Sequence, residues 1–212
     1  MATWTKIGLF SGLESLIRNV VYLVVILRAM NILNEQGSYW VANTFIWNWL
    51  LLPILPLADL IKQDVASNLN NEPNKKPFGM KLLPYLIFTT MTLLIWLSTA
   101  PGWPWFLESI LNADKPDLVL DLIQQLVPCY ACFTFSLLLT GVMYALGRTD
   151  YLAVKSLIGN ALIMTLFWFF SNGILFEDNV FAVAAIFGTG LVFGTATSVG
   201  FFALIVRTQY FI

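Results

Sequence analysis

The groups in this sequence with the most chemical potential are Glu14, Arg18 and Arg28, three charges inside the apolar stretch 13–34. A charge placed in hydrocarbon costs between about 2.5 and about 17 kcal/mol, depending on the reference system, so each needs a partner, a wet surface or a route to the rim. Glu14 and Arg18 are four residues apart, so on a helix they share a face and can pair. Two interpretations are open. The pair can be self-compensated near one rim, with Arg28 snorkelling to the other. Alternatively, it faces a water-filled cavity and takes part in cation or proton coupling, with Glu14 as the titrating or coordinating carboxylate and Arg18 tuning it.

A second group of polar residues lies on other apolar stretches. Asn43 and Trp47 are four apart, and Asn48 widens their strip; Tyr130 and Thr134 stand on a later stretch, and Asn19 follows Arg18 on the first. Amide, indole and hydroxyl groups around an apolar space can hold a flat or cationic molecule, which makes these six the candidate solute contacts. The same side chains can also serve only as hydrogen bonds between helices. Pro53, Pro56 and Pro128 each remove a backbone donor and are candidate bend points or hinges. Cys129 and Cys132 form a C-x-x-C inside an apolar run, away from any βαβ pattern, and read as small packing residues with no redox or metal role. Gly190 and Gly194 form a G-x-x-x-G, whose default meaning is close helix packing and whose weaker one is a contact between subunits.

What the chain lacks narrows the chemistry. It has no histidine, which removes Ser-His-Asp and Cys-His nucleophile pairs and His-ligated zinc or haem as internal devices. No enzyme, cofactor or metal site is expected. Eleven basic and twelve acidic residues leave a net charge of −1, which provides no field for nucleic acid. The first ten residues, MATWTKIGLF, do not have the pattern of a cleaved signal.

The 212 residues are 58% hydrophobic and only 11% charged, too apolar for a water-soluble core of this size to hide. Uncharged runs cover 36–58, 82–107, 122–147, 156–176 and 179–206, and each is long enough to cross about 30 Å of hydrocarbon as a helix. With the charged stretch, the predicted spans are about 13–34, 37–60, 82–100, 122–146, 154–175 and 180–206. The expected fold is therefore an all-α, six-helix integral membrane protein forming a single lobe. Six spans put both termini on one face, together with Lys6, Lys62, Lys75, Lys76, Lys81, Arg148, Lys155 and Arg207, whereas only Lys115 lies opposite. This bias makes the termini cytoplasmic. Residues 62–81, with Pro73, Pro77 and Gly79, read as a cytoplasmic loop. Residues 101–121 read as an outer loop with interfacial Trp103 and Trp105 and room for one short surface helix.

Three segments, GLESLIRNVVYLVVILRAMN, EQGSYWVANTFIWNWLLLPILPLADLIKQD and GVMYALGRTDYLAVKSLIGN, taken together resemble the second half of a transporter of the multidrug and toxic compound extrusion family. The six spans then correspond to helices seven to twelve, and the resemblance covers nearly the whole chain. It implies a multi-pass protein of a bacterial inner membrane and an exporter that exchanges Na⁺ or H⁺ for organic cations by alternating access. Glu14 falls where many members carry an acidic residue on the seventh helix, and so inherits a coupling role, with Na⁺ or H⁺ as the coupling ion. On the tenth helix some members have a second carboxylate where this chain has Phe135 and Ser136, so a paired-carboxylate cation site is not implied.

A single lobe has no facing wall for a central cavity. A homodimer about a two-fold along the membrane normal, or a separate subunit like a first lobe, would restore one. The leading expectation is accordingly a half-transporter for a small organic solute or cation. The alternative is a non-transporting membrane subunit or scaffold that keeps the lobe fold within a larger complex.

Overall fold

The computed structural model describes residues 2–71, 82–171 and 179–210, with no strand among them. The first predicted span falls on α1 (Ala2–Val21), a π-helical segment (Tyr22–Leu27) and α2 (Arg28–Ile32) in continuous succession. The second comprises α3 (Gln36–Phe45), another π-helical segment (Ile46–Leu50) and α4 (Ile54–Asn71). Next come α5 (Leu82–Thr99), a 3₁₀ turn (Ala100–Gly102) and α6 (Trp103–Ser109), then α7 (Pro116–Ala145), α8 (Thr149–Ser171) and α9 (Val180–Tyr210). Among the described residues five helical stretches are long and apolar enough to cross a membrane, and the bent pair Gln36–Leu50 and Ile54–Ser67 makes a sixth when counted as one span.

The bend of 51° between α3 and α4 falls where Pro53 is expected to act, and its physical cause is legible. Pro53 has no N–H to continue the ladder. Leu51 N donates to Ile46 O across a π turn, and Ile54 N turns back to Leu51 O, so Leu50 O is passed over. The indole of Trp96, on α5, donates to that carbonyl at 3.0 Å. Pro56 sits in the first turn of α4, where proline is tolerated. By contrast, α7 remains helical through Pro128.

Two predicted loops contain helix. The stretch expected as a cytoplasmic loop from 62 is still α4 as far as Asn71, and residues 72–81, with Pro73, Pro77 and Gly79, lie outside the described residues. The outer stretch 101–121 contains α6, and α7 begins at Pro116, ahead of the expected 122. Pro101, Pro104 and Pro116 stand here in first turns, where a missing donor costs nothing. The last residues of the predicted span 154–175 also lie outside the described residues, and α8 begins earlier, at Thr149.

The ends of the spans meet as an alternating bundle requires. Asn34, with φ 58°, closes α2, with Glu35 N on Met30 O and Asn34 N on Asn31 O. This turn presents Glu35 to Lys115 Nζ at 2.5 Å, which ties the 33–35 connection to that before α7. At the opposite end, Lys62 lies over the Tyr144 ring and Tyr144 meets Ser11. Gly147, with φ 67°, closes α7 by the same cap, Arg148 N reaching Met143 O, and turns the chain into α8.

Helix α7 is the centre of the bundle, packing on α3, α4, α5, α6 and α9. The close approaches are made at glycines. A Cβ on Gly141 would lie 2.6 Å from Ala58 O, and one on Gly188 would lie 2.7 Å from Cys129 Sγ. Gly190 meets Ile163 of α8 in the same way, so Gly188 and Gly190 of α9 pack within the chain. Helix α5 turns Thr89, Thr92 and Trp96 inward, while Leu83, Ile87, Met91, Leu94 and Leu97 stay exposed. An apolar exterior of this kind is what a bilayer solvates.

Candidate functional site

Helix α1 packs chiefly on α8, and α8 on α9, which leaves a space bordered by α1, α3, α7, α8 and α9. This cavity has a volume of about 430 Å³. Glu14, Arg18 and Asn19 contribute to it from α1, Asn43 and Trp47 from the second span, and Ser136 and Thr140 from α7. Lys155, Ser156 and Asn160 close it from α8, with Gly190 and Gly194 from α9.

Glu14 and Arg18 pair as their spacing suggests, with Nη1 to Oε1 at 3.0 Å. The carboxylate side of the pair is sheltered, 14% exposed, and the guanidinium is 61% exposed. Ser156 Oγ donates to Glu14 O at 3.2 Å and accepts from Asn160 Nδ2 at 3.1 Å, so α8 fixes the backbone that carries the acid. Arg28, also in the first span, is exposed and does not join the cavity.

The second span brings a polar cluster to the far wall. Tyr130 Oη donates to Asn43 Oδ1 at 2.6 Å and accepts from Trp47 Nε1 at 2.9 Å, while Asn43 Nδ2 points at Tyr22 Oη at 3.5 Å. Phe187 packs against both Tyr22 and Tyr130. Of the expected solute contacts, Asn19, Asn43 and Trp47 line the cavity. Tyr130 is fully buried behind Trp47 and positions it and Asn43. Thr134 is also fully buried and donates to Ala131 O at 2.7 Å, while Asn48 is exposed on the outer face of the π-helical segment. Neither belongs to the cavity lining.

Lys155 is the residue whose place the sequence conceals. By sequence it counts as a charge of the cytoplasmic rim, but α8 starts six residues earlier, which carries Lys155 about 9 Å along the helix. Its Nζ donates to Ser136 Oγ at 2.8 Å and to Thr140 Oγ1 at 3.3 Å. Ser136 in turn meets Ser198 Oγ at 2.9 Å, and Ser198 donates to Gly194 O at 2.9 Å, which orders the chain of donors from Lys155 to the α9 backbone. Gly194 faces the lysine stem, since a Cβ there would lie 3.7 Å from Cε. No sequence signal separates a lysine at a rim from one turned inward by a neighbouring serine.

Cys129 and Cys132 are free thiols, Cys129 packed against Gly188. Among the described residues no group of three or more His, Cys, Asp or Glu could hold a metal ion. No protein-family model, curated protein or solved structure matches the chain.

Proposed function

We propose that this chain is a multi-pass membrane half-transporter that carries a small organic solute through a polar cavity, coupled to a Na⁺ or H⁺ gradient. The observation that carries this reading is the cavity itself. Charged, amide and hydroxyl side chains from three predicted spans and a lysine from a fourth converge on one space, where a merely structural set would be dispersed along separate helix seams. Its volume of about 430 Å³ suits a small molecule. Two π-helical segments, uncommon in any helix, border it with Tyr22 and Trp47, and such segments are frequent at functional sites.

In this reading Glu14 is the coupling carboxylate and Arg18 its ion-pair partner, which the coupling ion displaces. Asn43 and Trp47, set by Tyr130, receive the solute. The break at Pro53 and the proline-bearing helices α4 and α7 give the lobe places to bend as it rocks against a second lobe. That second lobe is another copy of the chain or a separate subunit of the multidrug and toxic compound extrusion type, related by a two-fold along the membrane normal.

The test is uptake into proteoliposomes under an imposed Na⁺ or H⁺ gradient, using aromatic organic cations and acids as probes. The wild type is expected to accumulate a probe only with the gradient, and Glu14→Gln to abolish accumulation while melting as the wild type does. Undiminished gradient-driven uptake by Glu14→Gln would remove the coupling role, and wild-type vesicles inert to every probe would remove transport.

A further inference from the structure

The charges that line the cavity do not balance. Glu14 contributes one negative charge, and Arg18 and Lys155 contribute two positive ones. Glu14 is taken up by Arg18 at 3.0 Å, whereas the acceptors of Lys155 are two neutral hydroxyls, Ser136 and Thr140. Among the described residues no carboxylate lies within ion-pair distance of Lys155, and the charges near enough to act on it are Glu14 and Arg18. An ammonium has three donors, so two hydroxyl acceptors leave it one to offer a ligand. A cation entering this space meets a net positive charge, but a monoanion neutralises it. The remainder of the wall is aromatic and apolar, with Tyr22, Trp47, Phe133 and Phe187.

Resting on the transporter reading above, we infer that the cavity binds a small aromatic monocarboxylate. The carboxylate pairs with Lys155 beside the Ser136 and Thr140 hydroxyls, and the ring lies among Tyr22, Trp47, Phe133 and Phe187. The resemblance by itself implied organic cations, so the lysine reverses the sign of the expected solute.

The probes are 2-naphthoate and a naphthylmethylammonium cation of the same ring size, titrated calorimetrically against the purified full chain in detergent. The wild type is expected to bind 2-naphthoate at least tenfold more tightly than the cation. Lys155→Met, which keeps the stem and removes the charge, is expected to lose at least tenfold for the anion, and Lys155→Arg to retain most of the affinity. Thr140→Val, a milder change, is expected to weaken the anion by a smaller factor and stands in if Lys155→Met does not fold. Tighter binding of the cation by the wild type, or an anion affinity unmoved by both Lys155→Met and Thr140→Val, would overturn the inference. Gradient-driven uptake of the cation with no binding of the anion would sink the substrate class and keep transport. Tight anion binding without uptake of either probe would keep the site and sink transport.

Discussion

Replacing Trp96 by Phe isolates one hydrogen bond that the bend in the second span requires. Trp96 is 3% exposed, and its indole is the donor that meets Leu50 O at the break before Pro53. Phenylalanine keeps most of the ring but leaves that carbonyl without a partner in an apolar interior. An orphaned buried carbonyl costs about 1–3 kcal/mol, and the smaller ring adds a modest packing loss. For a chain of this length each kcal/mol corresponds to roughly 2–4 °C of melting temperature, so Trp96→Phe is expected to melt roughly 3–10 °C below the wild type. The assay is thermal unfolding of the purified protein in detergent. Trp40→Phe serves as the control, because Trp40 is 55% exposed and its truncation touches no orphaned group. Equal melting of the two variants would refute the reasoning, since it would mean that the carbonyl at the break needs no donor.

Helix contact and surface charge give two further expectations. Gly141→Ala places a Cβ against the Ala58 carbonyl of α4 at 2.6 Å, so α4 and α7 must separate; a loss of more than about 2 kcal/mol is expected in the same melting assay, whereas Gly200→Ala, with open space around it, changes little. Glu35 is held below the usual carboxylate range by the hydrogen bond from Lys115, so its stabilisation is present above the ordinary carboxyl value and is lost as the pH falls through the depressed one. Because Lys115 is 54% exposed the pair is worth only about 0.5 kcal/mol, and the melting curves of wild type and Lys115→Met are expected to differ at pH 7 and to converge as the pH falls through the depressed value of Glu35; a gap that persists once the carboxylate is protonated would contradict the assignment.

The elements were legible wherever composition alone decides them. Four of the five uncharged runs became long apolar helices, the fifth, 36–58, fell on the bent pair, and the i,i+4 spacing of Glu14 and Arg18 became a pair because a helix makes them neighbours whatever surrounds it. Pro53 marked the bend because a missing donor is a local fact. The remainder depends on tertiary contacts. Pro101, Pro104 and Pro116 lie in a stretch read as a loop yet occupy helix starts, a distinction set by where the preceding turn ends. Tyr130 and Thr134 share a face of α7, but both are fully buried, Tyr130 against Trp47 and Thr134 with its hydroxyl turned back onto the Ala131 carbonyl. Lys155 lay hidden for the opposite reason. A basic residue near a span end satisfies the positive-inside pattern equally well facing lipid headgroups or facing Ser136, and only the packing of α8 on α1 and α9 chooses between them.

Transport through this cavity requires the intramembrane polar groups to face water rather than packed helix seams, and thiol labelling reads this directly. In a background with Cys129 and Cys132 replaced by alanine, Asn43→Cys in reconstituted vesicles is expected to react with a charged, water-soluble maleimide, because Asn43 lines the cavity. Asn48→Cys, on the outer face of the same span, is expected to stay inert. An Asn43→Cys variant whose new thiol is unreactive with and without a gradient, in either lipid or detergent, would contradict a wet cavity and the transport built on it.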